Sequence, residues 1–317
     1  MQVHQQLRLA FLAAAVAGAM VPASAPALEF DLKGSLGEAG FTHYVSPITN
    51  PLFNETPYIT TEVRPMWLHQ DIPNHIRVHG LGRLSLGGDI DVLAVQIRVA
   101  ITDRLGFIAT KDGWADIDFE NTLHDDDGAA NLAFGFKYAV LAEAESNSLL
   151  TVGIKYEAPT GGLKTHINGV PSTGTRLQGQ GDGLLDLFVS GARTFGPVGL
   201  QASLGTQIAM DADDDVSFLH YSLHADYDVM ERVYPLIELN GYTPINDGNR
   251  APLPLGVNGM DLVNLGSPNS ETIVTIAPGV RVRLHDNVDF GTAFEIPITS
   301  DEDLMNWRFT TDFVIHM

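Results

Sequence analysis

Apolar and polar residues alternate along many short stretches of this chain. In residues 131–140, NLAFGFKYAV, every second side chain from Leu132 to Val140 is apolar, and the positions between them, such as Lys137, are polar or small. Successive side chains of an extended chain point to opposite faces, so this alternation predicts a strand with one apolar face. That face either packs in a protein core or contacts lipid.

The same alternation recurs after residue 57 and predicts twelve strands. Each predicted strand has roughly 9 to 14 residues, which is the length that a tilted strand needs to cross a bilayer. The twelve are Tyr58–Asp71, Asp89–Ile101, Arg104–Asp112, Ala130–Ala142, Ser148–Pro159, Asp182–Arg193, Val198–Ala209, Ser217–Tyr227, Val233–Thr243, Glu271–Leu284, Asn287–Ile298 and Asn306–Met317.

The connections between the predicted strands alternate in length. Tight turns such as TDR, TFGP and HDN are followed by long loops such as residues 72–88, 113–129 and 244–270. Short turns at one end and longer loops at the other are typical of outer-membrane barrels. The sequence therefore predicts an all-β fold, a transmembrane, antiparallel up-and-down β-barrel of about 12 strands.

Two orientations of the apolar face are compatible with a barrel. A soluble barrel has its apolar face inside, whereas a membrane barrel presents that face to lipid. Glycines on the polar face, such as Gly135 and Gly153, suit a crowded lumen, and aromatic residues near segment ends, such as Tyr156 and Trp307, suit the membrane interfaces. We therefore expect the apolar side chains to face lipid and the polar side chains to face the lumen.

The amino-terminal residues predict export from the cytoplasm. An apolar run follows Arg8, and small residues then lead to an A-x-A cleavage site that ends at Ala27. Residues 1–27 are therefore predicted to be a cleaved signal peptide. Residues 28–57 show little alternation and are predicted to be a plug in the lumen or a periplasmic tail, while residues 58–317 form the barrel. The predicted location is the outer membrane of a Gram-negative cell.

Charge and composition narrow the choice of partners. The formal net charge is −21 and the pI is about 4.6, which argues against nucleic acid, because phosphates are bound by a basic face. The chain has no cysteine, so disulfides, thiol catalysis and cysteine-ligated metals are excluded. We expect no cofactor. The expected partners are the lipid bilayer and lipopolysaccharide, the outer-membrane assembly machinery and a small-molecule solute, and a homo-oligomer is left open.

Polar side chains on the inward faces are the candidate solute path. A barrel of twelve strands is intermediate between a filled eight-stranded barrel and an open sixteen-stranded one, so these side chains decide what passes. Two interpretations stay open: a network of paired charges that admits little, or a selective constriction. Arg98, Lys137 and Lys155 lie on neighbouring or nearby predicted strands and suggest a basic strip for an anionic solute such as an aromatic acid. The candidate residues are Arg98, Lys137, Lys155, Glu238, Asn240, Arg281 and Glu295.

Carboxylate runs in the long loops offer a weak candidate for a metal site. Asp213, Asp214 and Asp215 could ligate calcium, but the run lacks the glycine and the distal glutamate of an EF-hand loop. No P-loop or G-x-S-x-G motif marks a catalytic centre at a strand-to-helix junction, and we predict no catalytic residue. An outer-membrane enzyme of the lipase or protease type and a non-conducting structural barrel remain alternatives to a channel.

Several stretches of the chain resemble one known family. They are AITDRLGFIATKDG, NLAFGFKYAVL, IKYEAPTGG, GPVGLQASLGTQ, YPLIELNGYTP and APGVRVRLHDNVDFGTAFEIPIT. This set resembles the outer-membrane transporter family labelled for the meta pathway of phenol degradation, over most of residues 45–317. The resemblance implies a twelve-stranded, porin-like barrel, and the family's label implies uptake of an aromatic or hydrophobic solute.

Overall fold

The computed structural model describes residues 34–36, 40–80, 82–169, 174–178, 182–250, 256–259, 261–267, 271–300 and 303–317. The predicted signal peptide, residues 1–27, lies outside the described residues. No helix in the described ranges is long and apolar enough to cross a membrane.

Eighteen strands form the regular structure of the described residues. In chain order they are β1 (Glu62–Asp71), β2 (His75–Val78), β3 (Gly82–Ser85), β4 (Gly88–Ala100), β5 (Leu105–Lys111), β6 (Trp114–Phe119), β7 (Asp126–Ala129), β8 (Leu132–Glu143), β9 (Ser148–Ala158), β10 (Lys164–Thr165), β11 (Thr175–Arg176), β12 (Leu184–Phe195), β13 (Val198–Ala209), β14 (Ser217–Tyr227), β15 (Val233–Asn246), β16 (Ile273–His285), β17 (Val288–Pro297) and β18 (Trp307–His316).

Twelve of these strands form an antiparallel sheet that closes on itself. β1 pairs with β18 on one side and with β4 on the other, so that Val63 lies opposite both Ile315 and Ile97. Closure removes the free strand edges that an open sheet would expose. The order around the barrel is β1, β18, β17, β16, β15, β14, β13, β12, β9, β8, β5, β4 and back to β1.

The predicted fold class is confirmed as a closed, twelve-stranded antiparallel β-barrel. Each predicted strand corresponds to one barrel strand, β13 and β14 have the predicted bounds, and the other bounds differ by no more than four residues. The sequence did not predict the remaining six strands, because each has six residues or fewer. One of them, β6, pairs with β4 beyond the end of β5 and lengthens the barrel wall there.

Apolar side chains cover the outside of the barrel, and polar side chains line its inside. On β8, Phe134, Phe136 and Tyr138 are 45–47% exposed, whereas Lys137 is only 1% exposed. The same alternation runs along β13 and β14, where Leu204 and Leu223 face outward. The predicted orientation, with the apolar face outside, is therefore the one that the structure has.

The two ends of the barrel differ. At the short-turn end, neighbouring strands are joined by tight connections, such as the two residues between β12 and β13. At the long-loop end the connections are longer and carry β2, β3, β6, β7, β10 and β11. Apolar residues of these loops, with residues from the nearby strand ends, pack into a single core, which we call the loop cap. Its buried members are Ile72, Ile76, Val78, Leu86, Ile90, Ala115, Ile117, Leu163, Leu177, Val257, Val263, Leu265 and Leu304.

Candidate functional site: the barrel lumen

Residues 43–61, which we call the luminal segment, precede β1 and fold back on themselves. The two arms meet where the Tyr58 hydroxyl donates to the His43 carbonyl at 2.7 Å. The tip is a turn in which the Asn54 amide donates to the Asn50 carbonyl at 2.9 Å. Asn50 has a φ of +50°, a conformation that asparagine adopts more readily than most residues. The stretch SPITNPLFNETP forms a turn here rather than a strand because it contains prolines and lacks alternation.

The luminal segment lies inside the barrel. Arg281 of β16 donates to the Ser46 carbonyl at 2.8 Å, and Thr151 of β9 donates to the Pro57 carbonyl at 2.6 Å. These two strands are on different sides of the barrel, with β12 to β15 between them in the sheet. From residue 44 to residue 61 every side chain is buried except that of Leu52, which is partly exposed. The segment therefore fills the space that the wall encloses.

Side chains of the wall satisfy the backbone of the luminal segment. The segment has no regular secondary structure, and buried carbonyl groups without hydrogen-bond donors would be costly. Inward-facing side chains of β1, β4, β9 and β13 supply donors. The pairs of donor residue and carbonyl are Arg64 with Ile48, Gln96 with Pro51, Lys155 with Leu52, Gln201 with Val45 and Ser203 with Phe53.

Glu238 of β15 binds the first arm of the segment, which precedes the turn at Asn50. Its carboxylate accepts the backbone amides of Ile48 and Thr49 at 2.8 and 2.6 Å, and it also accepts the Thr49 hydroxyl. Hydrogen bonds to an ionised acceptor are stronger than neutral ones. Asn240, the next inward residue on β15, donates to Thr49 and to Glu295, each at 2.9 Å. The two side chains together fix the position of this arm.

A row of histidines and carboxylates continues from Glu238 toward the short-turn end. His224 lies 2.8 Å from Glu238 and 3.2 Å from Asp226. Asp226 in turn lies 2.6 Å from His43, at the start of the luminal segment. Glu238 and Asp226 thus both contact the segment directly, and His224 joins the two carboxylates to each other.

Glu55 is the only acidic residue of the luminal segment, and it binds two cations of the wall. Arg98 of β4 donates through Nε and Nη2 to the two carboxylate oxygens at 2.9 and 2.7 Å. Lys137 of β8 donates to the same carboxylate at 2.7 Å and to the Thr56 carbonyl at 2.8 Å. The three charged side chains are at most 2% exposed. This arrangement anchors the second arm of the segment, which follows the turn that ends at Asn54.

The two cations also determine the protonation of Glu55. Burial raises the pKa of Glu55, but the charges of Arg98 and Lys137 lower that pKa by more, and it lies well below its usual range. Glu55 is therefore a carboxylate at neutral pH.

The structure places all seven candidate path residues in the lumen, and none is more than 4% exposed. Six of them contact the luminal segment directly, and Glu295 is joined to it through Asn240. Arg98 and Lys137 share Glu55, whereas Lys155 pairs with Asp186 of β12 at 2.9 Å. The predicted basic strip is therefore divided into two sites, one with Arg98 and Lys137 and the other with Lys155. The six residues that contact the segment directly are Arg98, Lys137, Lys155, Glu238, Asn240 and Arg281.

Ion pairs between wall residues occupy other parts of the lumen. Asp312 of β18 accepts Arg64 at 2.5 Å and Arg281 at 2.9 Å. Arg308, also on β18, pairs at 2.7 Å with Asp261, which belongs to the loop between β15 and β16. In the described residues the luminal charges thus form a paired network around the segment.

Sequence reasoning did not identify the luminal residues that precede the barrel. Glu55 and Thr49 lie in the stretch predicted to be a plug or a tail, but without alternation nothing indicates which wall residue each one meets. One signal could have singled out Glu55, because it is the lone carboxylate of residues 39–61, which contain no lysine or arginine.

The structure does not bring the three aspartates of the weak metal candidate together. Asp215 is buried and pairs with Arg250 at 2.9 Å, whereas Asp213 and Asp214 are exposed. Among the described residues, one group of three metal-ligating side chains has ligand atoms within 4.8 Å of one another. It consists of His69, Asp89 and Asp91, which lie on β1 and β4 near the long-loop end.

Comparisons with known proteins bear on the fold. No family model and no curated protein matches the sequence, so the resemblance to the phenol-pathway family stays a prediction. Among solved structures, an outer-membrane channel from Pseudomonas putida F1 superposes with a TM-score of 0.57 and 14% identity, covering 86% of this chain and 100% of that chain.

Two looser superpositions involve other outer-membrane proteins. The NanC porin gives a TM-score of 0.46 with 5% identity, covering 81% of this chain and 100% of that chain. The toluene transporter TodX of Pseudomonas putida gives 0.42 with 11% identity, covering 90% and 98%. These two values are too low to carry an argument. The superposition on the Pseudomonas putida F1 channel shows that this chain has the fold of an outer-membrane β-barrel.

Proposed function

We propose that this protein is a channel of the Gram-negative outer membrane, that a small solute crosses through the barrel lumen, and that the luminal segment closes that lumen. The observation that supports the proposal most directly is that the luminal segment fills the barrel. This segment is not part of the wall but binds to it, and the wall residues behind it are polar. A barrel with this construction can be opened without dismantling the wall.

The outer surface supports a membrane location. Large apolar side chains such as Phe136, Leu204 and Leu223 are about half exposed on the outside of the strands. Continuous apolar surface of this kind is unfavourable in water and is expected to contact acyl chains. A closed barrel also satisfies every backbone group of its strands internally, as a bilayer requires. The lipid bilayer and lipopolysaccharide are accordingly the proposed surroundings.

The polar wall supports passage of a solute rather than a purely structural role. If the luminal segment withdraws, the charged and amide side chains that now bind its backbone face the vacated space. They would line a path with hydrogen-bonding groups on several sides. The resemblance to the phenol-pathway family suggests that the solute is aromatic.

Conductance in planar bilayers tests this proposal. We expect the wild-type protein to be mostly closed, and a variant lacking residues 43–57 to show frequent conducting states. Heat-modifiable migration in a detergent gel verifies that each protein is a folded barrel. A folded deletion variant that conducts no more than the wild type would overturn the proposal that the segment closes the lumen.

A reversible tether provides a second test that leaves the segment intact. The chain has no cysteine, so Thr56→Cys and Gln201→Cys introduce a unique thiol pair where the two wild-type side chains are 3.0 Å apart. Bridging the two thiols with a short bis-thiol reagent should abolish the openings, and a reductant should restore them. Either single variant, treated in the same way, is the matched control.

A further inference from the structure

Arg98 and Lys137 form a cation pair in the barrel wall whose shared ligand is not part of the wall. Both side chains project inward, from β4 and β8, and both bind Glu55 of the luminal segment. Arg98 donates two hydrogen bonds in parallel to the two carboxylate oxygens, at 2.9 and 2.7 Å. This paired geometry is the one by which arginine recognises carboxylates selectively. The wall thus carries a formed carboxylate site, and the chain itself occupies it.

Three other luminal cations take their carboxylates from the wall rather than from the segment. Lys155 pairs with Asp186, and Arg64 and Arg281 pair with Asp312, and both of these aspartates belong to barrel strands. Neither partner of those ion pairs belongs to the luminal segment. Within the described part of the chain, the Arg98 and Lys137 pair alone takes its principal carboxylate from the segment, because Glu55 is the only acid between residues 43 and 61.

Removal of Glu55 would leave the site with excess positive charge. The nearest remaining carboxylate is that of Glu62 on β1, which lies 3.3 Å from Arg98 and also 3.5 Å from His316. Two buried cations would then face one shared carboxylate. An uncompensated charge in a buried site is costly, so the vacated site favours a monoanion.

We infer that Arg98 and Lys137 bind the carboxylate of the transported solute, and that Glu55 is an internal competitor that must be displaced before the lumen opens. The inference rests on the proposed channel function and names its solute class, a small monocarboxylate. A solute without a carboxylate has nothing with which to replace Glu55. The solute therefore both binds in the lumen and promotes its opening.

Binding measurements on purified protein test the site without requiring conductance. Benzoate is the probe, and benzyl alcohol is the neutral control of similar shape. Because the internal competitor lowers the apparent affinity of the wild type, Glu55→Gln should bind benzoate about tenfold or more tightly than the wild type. The double variant Glu55→Gln, Arg98→Gln should lose this binding, and benzyl alcohol should bind none of the three detectably. Equal benzoate binding by the single and double variants would overturn the inference.

Single-channel recordings separate this inference from the channel proposal. In the wild type, benzoate should raise the open probability and benzyl alcohol at the same concentration should not. Glu157→Gln is the matched control, because it also removes a buried luminal carboxylate, but one that pairs with Lys111 of β5 at 2.7 Å, and it should remain mostly closed. If the variant lacking residues 43–57 conducts but benzoate and benzyl alcohol act alike on the wild type, the carboxylate site is wrong and the channel stands. If that deletion variant does not conduct, the channel proposal fails, whatever benzoate binding shows.

Discussion

Two structures of different chemistry close the barrel: the loop cap covers the long-loop end, and the luminal segment fills the interior. The loop cap at the long-loop end is a single apolar core to which several loops contribute. The luminal segment, which joins β1 at the short-turn end, binds the wall through hydrogen bonds, ion pairs and several separate apolar contacts. Its apolar side chains are divided among four small clusters, which contain Phe53, Tyr58, Ile48 and Ile59. The loop cap is stabilised by contacts among its own residues, and the luminal segment is stabilised by contacts with the wall.

This difference bears on the proposal that the luminal segment, rather than the loop cap, moves. Separating an apolar core exposes surface that water cannot satisfy. Each hydrogen bond of the luminal segment can be replaced by a hydrogen bond to water, so its net contribution to stability is only about 0.5–1.5 kcal/mol. A segment held by many such bonds is well positioned when seated, yet water compensates for much of the cost of its release. We therefore regard the luminal segment as the moving part and the loop cap as the static part.

The largest expected effect comes from a cavity in the loop cap. Leu86 is fully buried there, so Leu86→Ala should destabilise the cap by about 2–5 kcal/mol. Limited proteolysis of the folded barrel should then cut the long loops faster, while the luminal segment stays seated. Leu284→Ala, which alters a leucine that is 55% exposed, is the control. Loss of segment closure in Leu86→Ala would show that the two structures are coupled.

A smaller effect is expected when one polar interaction of the luminal segment is weakened. Glu238→Gln keeps the shape of the side chain but loses its charge, and its amide group cannot accept the Ile48 and Thr49 amides together. A cost of about 1–3 kcal/mol corresponds to a roughly 5- to 150-fold rise in the labelling rate of a Thr56→Cys reporter. Proteolysis of the long loops should not change. Glu145→Gln, in an exposed short turn, is the matched control.

The smallest effect is expected on mild acidification. The folded state holds the pKa of Glu55 below its usual range, so the stability that Glu55 contributes is present above the ordinary carboxyl pKa and is lost only as the pH falls through the lower, folded value. Currents through the wild type at about pH 4.5 should therefore match those at pH 7, since an ordinary glutamate titrates near 4.3. Opening at about pH 4.5 in the wild type and equally in His43→Gln, which lacks the one imidazole of the luminal segment, would indicate that Arg98 and Lys137 do not hold Glu55 as a carboxylate.

The barrel wall is the part of this molecule that the sequence predicts best. The period of two assigns a face to every strand residue, so Lys137 inside and Phe136 outside follow from their positions alone. Neighbouring strands follow one another along the chain, which makes the pairing of β13 with β14 predictable as well. An even number of strands also makes the closing pair, β1 with β18, antiparallel like the other pairs.

The lumen and the loop cap could not be predicted in the same way. Glu55 and Arg98 are far apart in sequence, and no period relates a residue of an irregular segment to the strand it meets. The apolar residues of the cap, such as Leu163 and Val257, lie in loops that show no alternation. Sequence pattern reports which face a strand residue takes, but not which irregular stretch of chain covers that face.

The attachment of the luminal segment directly to β1 sets its range of travel. Thr61 accepts a hydrogen bond from Met317 at 3.0 Å, immediately before β1 enters the closing seam of the barrel. Fully extended at about 3.4 Å per residue, residues 43–61 would reach roughly 65 Å, on the order of twice the hydrocarbon thickness of a bilayer. The tether is thus long enough for the whole segment to leave the lumen at the short-turn end and re-enter it, while its carboxyl end stays fixed in the wall.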